Sequence, residues 1–322
     1  MEIVRVSVRR RATRAALTLI LGLTACSPGG GSTGDGIPPA APAAKAALPL
    51  IPAGAGIERV NDLVKDPARD PLPADPRMAE AVKLGLEIFR RTPELARAYV
   101  GNRMTCANCH MNGGQREKAL PLVGVAATFP QYRGRDGRLL TLEDRIAGCF
   151  QRSLNGSAPP HDSREMLALS AYIAWISEGQ PVGATPTWLG QNRIAPENLL
   201  PIERLDPRRG EQIFLARCVA CHGVDGQGID LGFARPGPLW GPDSWNDGAG
   251  AARIYTLAGY LRYAMPLTVP GSLTDEEAQH VAAYINSKDR PYFPAKDGDY
   301  PGGEAPVDAV YYPRYPRNPL LR

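Results

Sequence analysis

Two five-residue stretches carry the strongest chemical signal in the chain: Cys106-Ala107-Asn108-Cys109-His110 and Cys218-Val219-Ala220-Cys221-His222. Two thiols three positions apart, followed directly by an imidazole, form two thioether bonds to one haem and offer a nitrogen to its iron. A zinc site or a redox Cys-x-x-Cys needs no histidine directly after the second cysteine, still less twice. Two covalent c-type haems are therefore expected, one on Cys106, Cys109 and His110, the other on Cys218, Cys221 and His222. They engage four of the six cysteines and two of the four histidines. What approaches each iron from its other side decides whether the chain does chemistry or only passes electrons.

For the second haem the expected opposite ligand is Met265, in Tyr263-Ala264-Met265-Pro266. A His/Met pair favours ferrous iron and raises the potential. His280 is the weaker rival, because it falls inside the last helix of that half. The first half has no Met-Pro at the corresponding place but has Cys149, a thiol without a partner. Arg145, Cys149 and Ser153 recur at i, i+4 and i+8, one face of a helix. A nearby cation and a ferric iron both favour thiolate over thiol, and thiolate ligation lowers the potential. Cys149 is thus expected to ligate the first iron; Met166 and His161 are the alternatives if it is an inert buried thiol. Arg133, Arg135, Arg138 and Arg145 gather around it in sequence. A guanidinium is a planar, always-charged fork suited to a small oxyanion, so the group points to an anionic sulfur compound. The competing reading has these arginines on a solvated loop, pairing with Asp136, Glu143, Asp144 or the haem propionates.

Helices must position these residues. Asp75-Pro76 starts one, by the preference of proline for the first helical position. Met78, Val82, Gly85, Leu86 and Phe89 then recur at helical spacing. Thr141-Leu-Glu-Asp144 reads as a capping box opening a helix that Asn155-Gly156 closes, and a further helix is expected from about 164 to 178. The second half repeats the plan: Asp206-Pro207 echoes Asp75-Pro76, Gly210, Ile213 and Phe214 echo Gly85, Ile88 and Phe89, and Thr274-Asp-Glu-Glu277 caps a last helix. Cys106 to Cys218 and Tyr172 to Tyr284 are each 112 residues apart, the mark of two copies of one unit. Helices before and after an attachment motif, packed across each other, resemble the cytochrome c fold.

The 322 residues carry a formal charge of +4, but five arginines and one acid lie in residues 1–25; the remainder holds 32 basic and 32 acidic residues. Nothing in that balance favours nucleic acid. The basic stretch to Arg14 and the apolar run Ala15 to Ala25 form an export leader too short to span a bilayer. Its end, Leu23-Thr24-Ala25-Cys26, resembles a lipobox, with Cys26 lipidated and made the new N-terminus. With Ser27 following, the outer membrane is the expected destination, facing the periplasm. The fold expected is all-α, two tandem cytochrome c domains with a lipoprotein leader and an extended tail. Residues 1–25 form the leader, 26–56 a Gly/Pro-rich tether, 57–188 the first domain and 189–204 a linker. Residues 205–291 form the second domain, and 292–322 a Pro/Tyr-rich tail packing on the body.

The run Arg145-Ile-Ala-Gly-Cys149-Phe150-Gln-Arg152-Ser153-Leu-Asn155-Gly156 resembles the dihaem thiosulfate dehydrogenases (tetrathionate synthases). So do Gly101-Asn102 before the first motif, Pro238-Leu-Trp-Gly-Pro-Asp-Ser244, Ala264-Met265-Pro266 and Asp299-Tyr300-Pro301. The resemblance covers residue 75 onward. It implies coupling of two thiosulfates to tetrathionate at the first haem, with Cys149 as both axial ligand and catalytic sulfur. Arg135 and Arg145 match the family's substrate-binding arginines, and Ser153 belongs to the same run. The His222/Met265 haem would pass electrons to an external acceptor such as a small cytochrome c. Some relatives have a lysine beside the methionine that competes for iron; Ala264 stands here. Two other readings remain open: a dihaem electron carrier without substrate chemistry, and the same site working mainly as a tetrathionate reductase.

Overall fold

The computed structural model describes residues 48–303, 305–312 and 320; the leader, Cys26 and most of the tether lie outside them. The elements run α1 Pro76–Arg90, α2 Thr92–Leu95, α3 Met111–Gly114, β1 Gln131–Arg133, β2 Arg138–Leu140, α4 Leu142–Arg152, α5 Arg164–Trp175, α6 Pro207–Arg217, α7 Val219–His222, α8 Ile254–Ala264 and α9 Asp275–Asn286. No helix among the described residues is long and apolar enough to cross a membrane.

The helix starts follow local chemistry. The side chains of Asp75 and Asp206 cap α1 and α6, accepting from the N–H groups of Arg77 and of Arg208 and Arg209. Thr141 and Thr274 form reciprocal capping boxes with Asp144 and Glu277. Each such cap satisfies donors that the first helical turn leaves unpaired. The ends depart from expectation. α4 stops at Arg152, three residues before Asn155, whose φ of +47 is the left-handed turn that lets the Gly156 N–H return to the Phe150 carbonyl. The loop before α4 is not featureless either. Residues 131–140 form a two-stranded antiparallel hairpin, with Gln131 opposite Leu140 and Arg133 opposite Arg138. The fold is thus helix-dominated rather than strictly all-α, and that hairpin carries the arginines.

In each half the helix before the attachment motif crosses the helix near the end: α1 on α5, α6 on α9, with α8 also on α9. Both crossings are closed by a glycine. A Cβ on Gly85 would lie 2.1 Å from the Ala168 carbonyl oxygen, and one on Gly210 would lie 2.0 Å from that of His280. Those carbonyls belong to residues four positions before Tyr172 and Tyr284, the two tyrosines 112 residues apart. The rings Phe89 and Phe214 fill the same place, 5.9 and 5.4 Å from those tyrosines. Exchange of helix-interior glycine for alanine normally stabilises by about 0.5–1 kcal/mol. Here backbone sits where the methyl must go, and overpacking of about 1–3 kcal/mol wins. Gly85→Ala and Gly210→Ala are therefore each expected to lower the melting temperature; a rise in either would show that the helices separate at no cost.

The halves are joined directly. Asn102 donates from its side chain to the Ser153 and Ser244 carbonyls, and Asn108, inside the first attachment motif, donates to the Arg235 carbonyl at 2.8 Å. Tyr260 of α8 donates to the Asn108 carbonyl at 3.2 Å. The segment after α9 lies against the body: Val310 is fully buried, and the Asp308 carboxylate pairs with Arg253 at 2.9 Å.

Candidate haem and anion site

One cavity of about 1890 Å³ is lined by Cys109, His110, Cys149, Cys218, Cys221, His222 and Met265, well beyond the 300–1,000 Å³ of an ordinary ligand pocket. The residues fit a haem at each motif. His110 Nδ1 lies 2.6 Å from the Leu120 carbonyl. Donating there, it leaves Nε2 bare, the second-sphere arrangement of a ligating histidine. Burial, with a smaller push from Arg145, lowers His110 to about 4, and burial does the same for His222, so both imidazoles are neutral with a free lone pair. His222 Nδ1 is buried and has no protein partner among the described residues. Burial pushes the Cys106 and Cys109 thiols up to about 12 and Cys218 to about 11.

The ligand candidates left open by sequence fall at different places in the structure. Met265, which closes α8, lines it. His280 does not: it is 3% exposed, and its Nδ1 accepts from the Asp206 N–H at 3.0 Å, which ties it to the start of α6. His161 lies 3.7 Å from Asp144 with 59% of its side chain exposed, and Met166 is fully buried in the core. Cys149 lines the cavity, carried there by α4.

Arg145 and Cys149 meet as their i, i+4 spacing requires: Arg145 Nη1 donates to Cys149 Sγ at 3.0 Å. Ser153, one turn on, also lines the cavity. The hairpin brings Arg133, at the end of β1, and Arg135, in the turn, to the same wall. Partial desolvation at the cavity mouth, then repulsion from Arg145 and Arg135, lowers the Arg133 guanidinium, although its side chain stays largely open to solvent. Cations that destabilise one another form a site for an anion. Arg138 does not join them. It pairs with Asp144 at 3.0 Å, 58% exposed, and stays off the cavity, as the competing reading of that loop required.

Four contributors escaped the sequence reading: Arg152, Gly248, Asp299 and Tyr300. Arg152 forms a two-pronged pair with Asp299, 2.7 and 2.6 Å, and its Nη1 reaches the Gly248 carbonyl at 3.2 Å. Arg135 also donates to that carbonyl, at 3.0 Å, and to the Tyr300 hydroxyl at 3.3 Å. For Arg135, burial pulls the guanidinium down, but facing Tyr300, Tyr312 and Asp299 outweigh it and the net shift is upward. In sequence Arg152, Asp299 and Tyr300 stood only within runs that carried resemblance, with no role assigned, and Gly248 gave no signal.

Residues 96–182 match the SoxA/TsdA cytochrome c domain family, and residues 205–285 match the family of cbb3-type cytochrome c oxidase subunit III. The thiosulfate dehydrogenase of Stutzerimonas stutzeri (strain A1501) is 42% identical over 230 residues, covering 71% of this chain and 73% of that one. That of Allochromatium vinosum is 41% identical over 240 residues, covering 72% and 86%. The solved thiosulfate dehydrogenase TsdBA of Marichromatium purpuratum superposes with a TM-score of 0.65 at 38% identity, over 72% of this chain; the match spans 51% of that longer chain. Two cytochrome c domains, joined over a cavity with a cysteine among arginines, and relatedness along most of the chain place it together: the protein belongs to the thiosulfate dehydrogenase family of cytochrome c enzymes.

Proposed function

We propose that the chain couples two thiosulfates to tetrathionate, 2 S₂O₃²⁻ → S₄O₆²⁻ + 2 e⁻, at the first haem domain, and exports the electrons through the second. The observation that carries this reading is the Arg145–Cys149 contact at 3.0 Å in a cavity wall shared with Arg133 and Arg135. Two haems, held by Cys106/Cys109 and Cys218/Cys221 with His110 and His222 as ligands, would supply one-electron acceptors and so a sink for the two electrons.

The remaining work falls to side chains. Arg133, Arg135 and Arg145 bind the sulfonate end of a first thiosulfate, offsetting its charge and presenting its outer sulfur to Cys149 Sγ. A sulfur–sulfur bond forms between the Cys149 thiolate and that sulfur as two electrons leave, giving a cysteine S-thiosulfonate. A second thiosulfate then attacks the sulfonate-bearing sulfur of the adduct; the bond to Cys149 breaks, the cysteine leaves as thiolate, and tetrathionate departs. Oxidation is complete before the second step, which is a transfer without net redox change. In the same proposal Cys149 would also hold the iron of the first haem, and Met265 that of the second. Met265→Gly is expected to lower the potential of one haem and slow electron export while tetrathionate-forming chemistry survives; unchanged potentials in a redox titration would remove Met265 as ligand.

The Asn108–Arg235 and Tyr260–Asn108 bonds support direct transfer between the domains, since the first motif rests on the second domain. An external acceptor, such as a small cytochrome c, would take the electrons. The leader and Leu23-Thr24-Ala25-Cys26 support a lipid-anchored enzyme facing the periplasm, the compartment where covalent haem attachment proceeds. The deciding experiment is thiosulfate-dependent reduction of ferricyanide by the matured dihaem protein, with tetrathionate assayed as product. Turnover with one tetrathionate per two electrons is expected. No turnover by protein whose haems are both reducible by dithionite would instead make it an electron carrier.

A further inference from the structure

Arg135 stands on the hairpin turn of the first half, yet both of its protein acceptors come from the second: the Tyr300 hydroxyl at Nε and the Gly248 carbonyl at Nη1. Tyr300 holds it in two further ways. Its backbone N–H donates to the Arg135 carbonyl at 2.7 Å, and its ring centroid lies 5.8 Å from the guanidinium carbon. The next residue, Pro301, covers the same turn so closely that a Cβ on Gly137 would come within 2.4 Å of it. On the other flank, Asp299 is anchored by Arg152 and by the Tyr312 hydroxyl.

Tyr300 has φ of +59, a left-handed conformation that is costly for a bulky residue and persists only where its surroundings impose it. It lines the cavity with Cys149 and Arg145. A guanidinium held at Nε and at one Nη has a single setting, and Nη2 of Arg135 has no acceptor among the described residues. Fixing the planar fork in advance removes the ordering cost that an anion would otherwise meet.

We propose that Tyr300, from the segment following the second domain, is a positioning residue of the thiosulfate site: its hydroxyl aims Arg135 so that the remaining N–H groups meet the sulfonate oxygens. The anion site is then a composite of both halves of the chain. This rests on the thiosulfate reading above and extends it to a residue that touches the substrate only through Arg135.

The test uses the full dihaem protein and its Tyr300→Phe variant, which removes one oxygen and keeps the ring and backbone contacts. Thiosulfate affinity is measured by titration calorimetry, and KM and kcat by ferricyanide reduction. Kd and KM are expected to rise roughly tenfold, the scale of one lost hydrogen bond to a charged group. Turnover at saturation should stay within about twofold, because ground-state and transition-state binding weaken together. Both haem potentials should stay in place. Arg135→Lys should cause a similar loss, and adding Tyr300→Phe to it nothing more, since lysine has no Nε–H for the phenol to hold. A merely structural tyrosine would give additive losses, and that outcome, or an unchanged Kd in Tyr300→Phe, would overturn the proposal. Wild-type protein that binds thiosulfate without oxidising it would sink the proposed function while leaving Tyr300 tested by Kd alone. Wild-type protein that does not bind thiosulfate would sink both.

Discussion

Replacing Cys149 by glycine is expected to abolish thiosulfate turnover, by on the order of a thousandfold or more, with both haems still covalently attached. On the proposed reading attachment depends on Cys106, Cys109, Cys218 and Cys221, none of which the substitution touches. Those four thiols would be engaged with the haems in place, so removal of Cys149 leaves no other free thiol on the cavity wall among the described residues. The fold should survive, because Cys149 is only half-buried and its Sγ has one protein partner, Arg145 at 3.0 Å. The effect therefore separates chemistry from binding: the arginines still hold the anion, and Kd for thiosulfate should change far less than kcat. The checks are haem content after denaturation, thiosulfate-dependent ferricyanide reduction, and calorimetric affinity. Full activity in the glycine variant would mean that the sulfur–sulfur bond is not made at residue 149.

Asp299→Asn is the substitution expected to cost most stability. Its carboxylate is 4% exposed and carries both prongs of Arg152, itself 13% exposed. Asparagine keeps the shape but removes the charge, leaving a desolvated guanidinium with neutral neighbours, the new amide oxygen, the Gly248 carbonyl and the Phe293 ring, and no counter-charge from residue 299. Breaking one partner of a buried ion pair costs about 3–5 kcal/mol, because the remaining charge is left uncompensated. In a domain of this size that lowers the melting temperature by on the order of 10 °C. An exposed pair gives the contrast. Arg77 and Asp75 are equally close, 2.6 Å, but Arg77 is 89% exposed, and solvent screening leaves such pairs contributing little. Asp299→Asn should also raise KM for thiosulfate, because Asp299 anchors the segment through which Tyr300 holds Arg135. Thermal melts of the holoprotein, read at a haem band and by circular dichroism, measure the first effect. A shift below about 2 °C would show that Arg152 finds another counter-charge when Asp299 is neutral.

Both predictions concern residues that sequence treated very differently. Cys149 and Arg145 were legible because an α-helix repeats every 3.6 residues, so i and i+4 meet whatever else the chain does. The two attachment motifs were legible for the same reason, their geometry being contained in five consecutive residues. So were the capping boxes at Thr141 and Thr274, the 112-residue offset of the motifs and tyrosines, and the echo of Gly85, Ile88 and Phe89 in Gly210, Ile213 and Phe214, which paired the two glycines before any contact was seen.

Long-range partners were not legible. Arg135 meets Gly248 and Tyr300 across 113 and 165 residues, and Arg152 meets Asp299 across 147. Nothing in the local spacing of either arginine distinguishes it from Arg138, which sits three residues from Arg135 and faces solvent on Asp144. Arg135, in the hairpin turn, is drawn to the cavity wall by Gly248 and Tyr300, whereas Arg138, on β2, is held outside it by Asp144. His280 and Met265 were likewise both credible ligands by type; α9 buries the first against α6, and the end of α8 leaves the second on the cavity wall. Chemistry written in neighbouring residues was thus determined by sequence alone: haem attachment, the cysteine beside its arginine, the helix starts. Which charges converge on that cysteine was decided by the packing of the two halves and the C-terminal segment, because burial and pairing depend on surfaces that exist only once the distant parts have met.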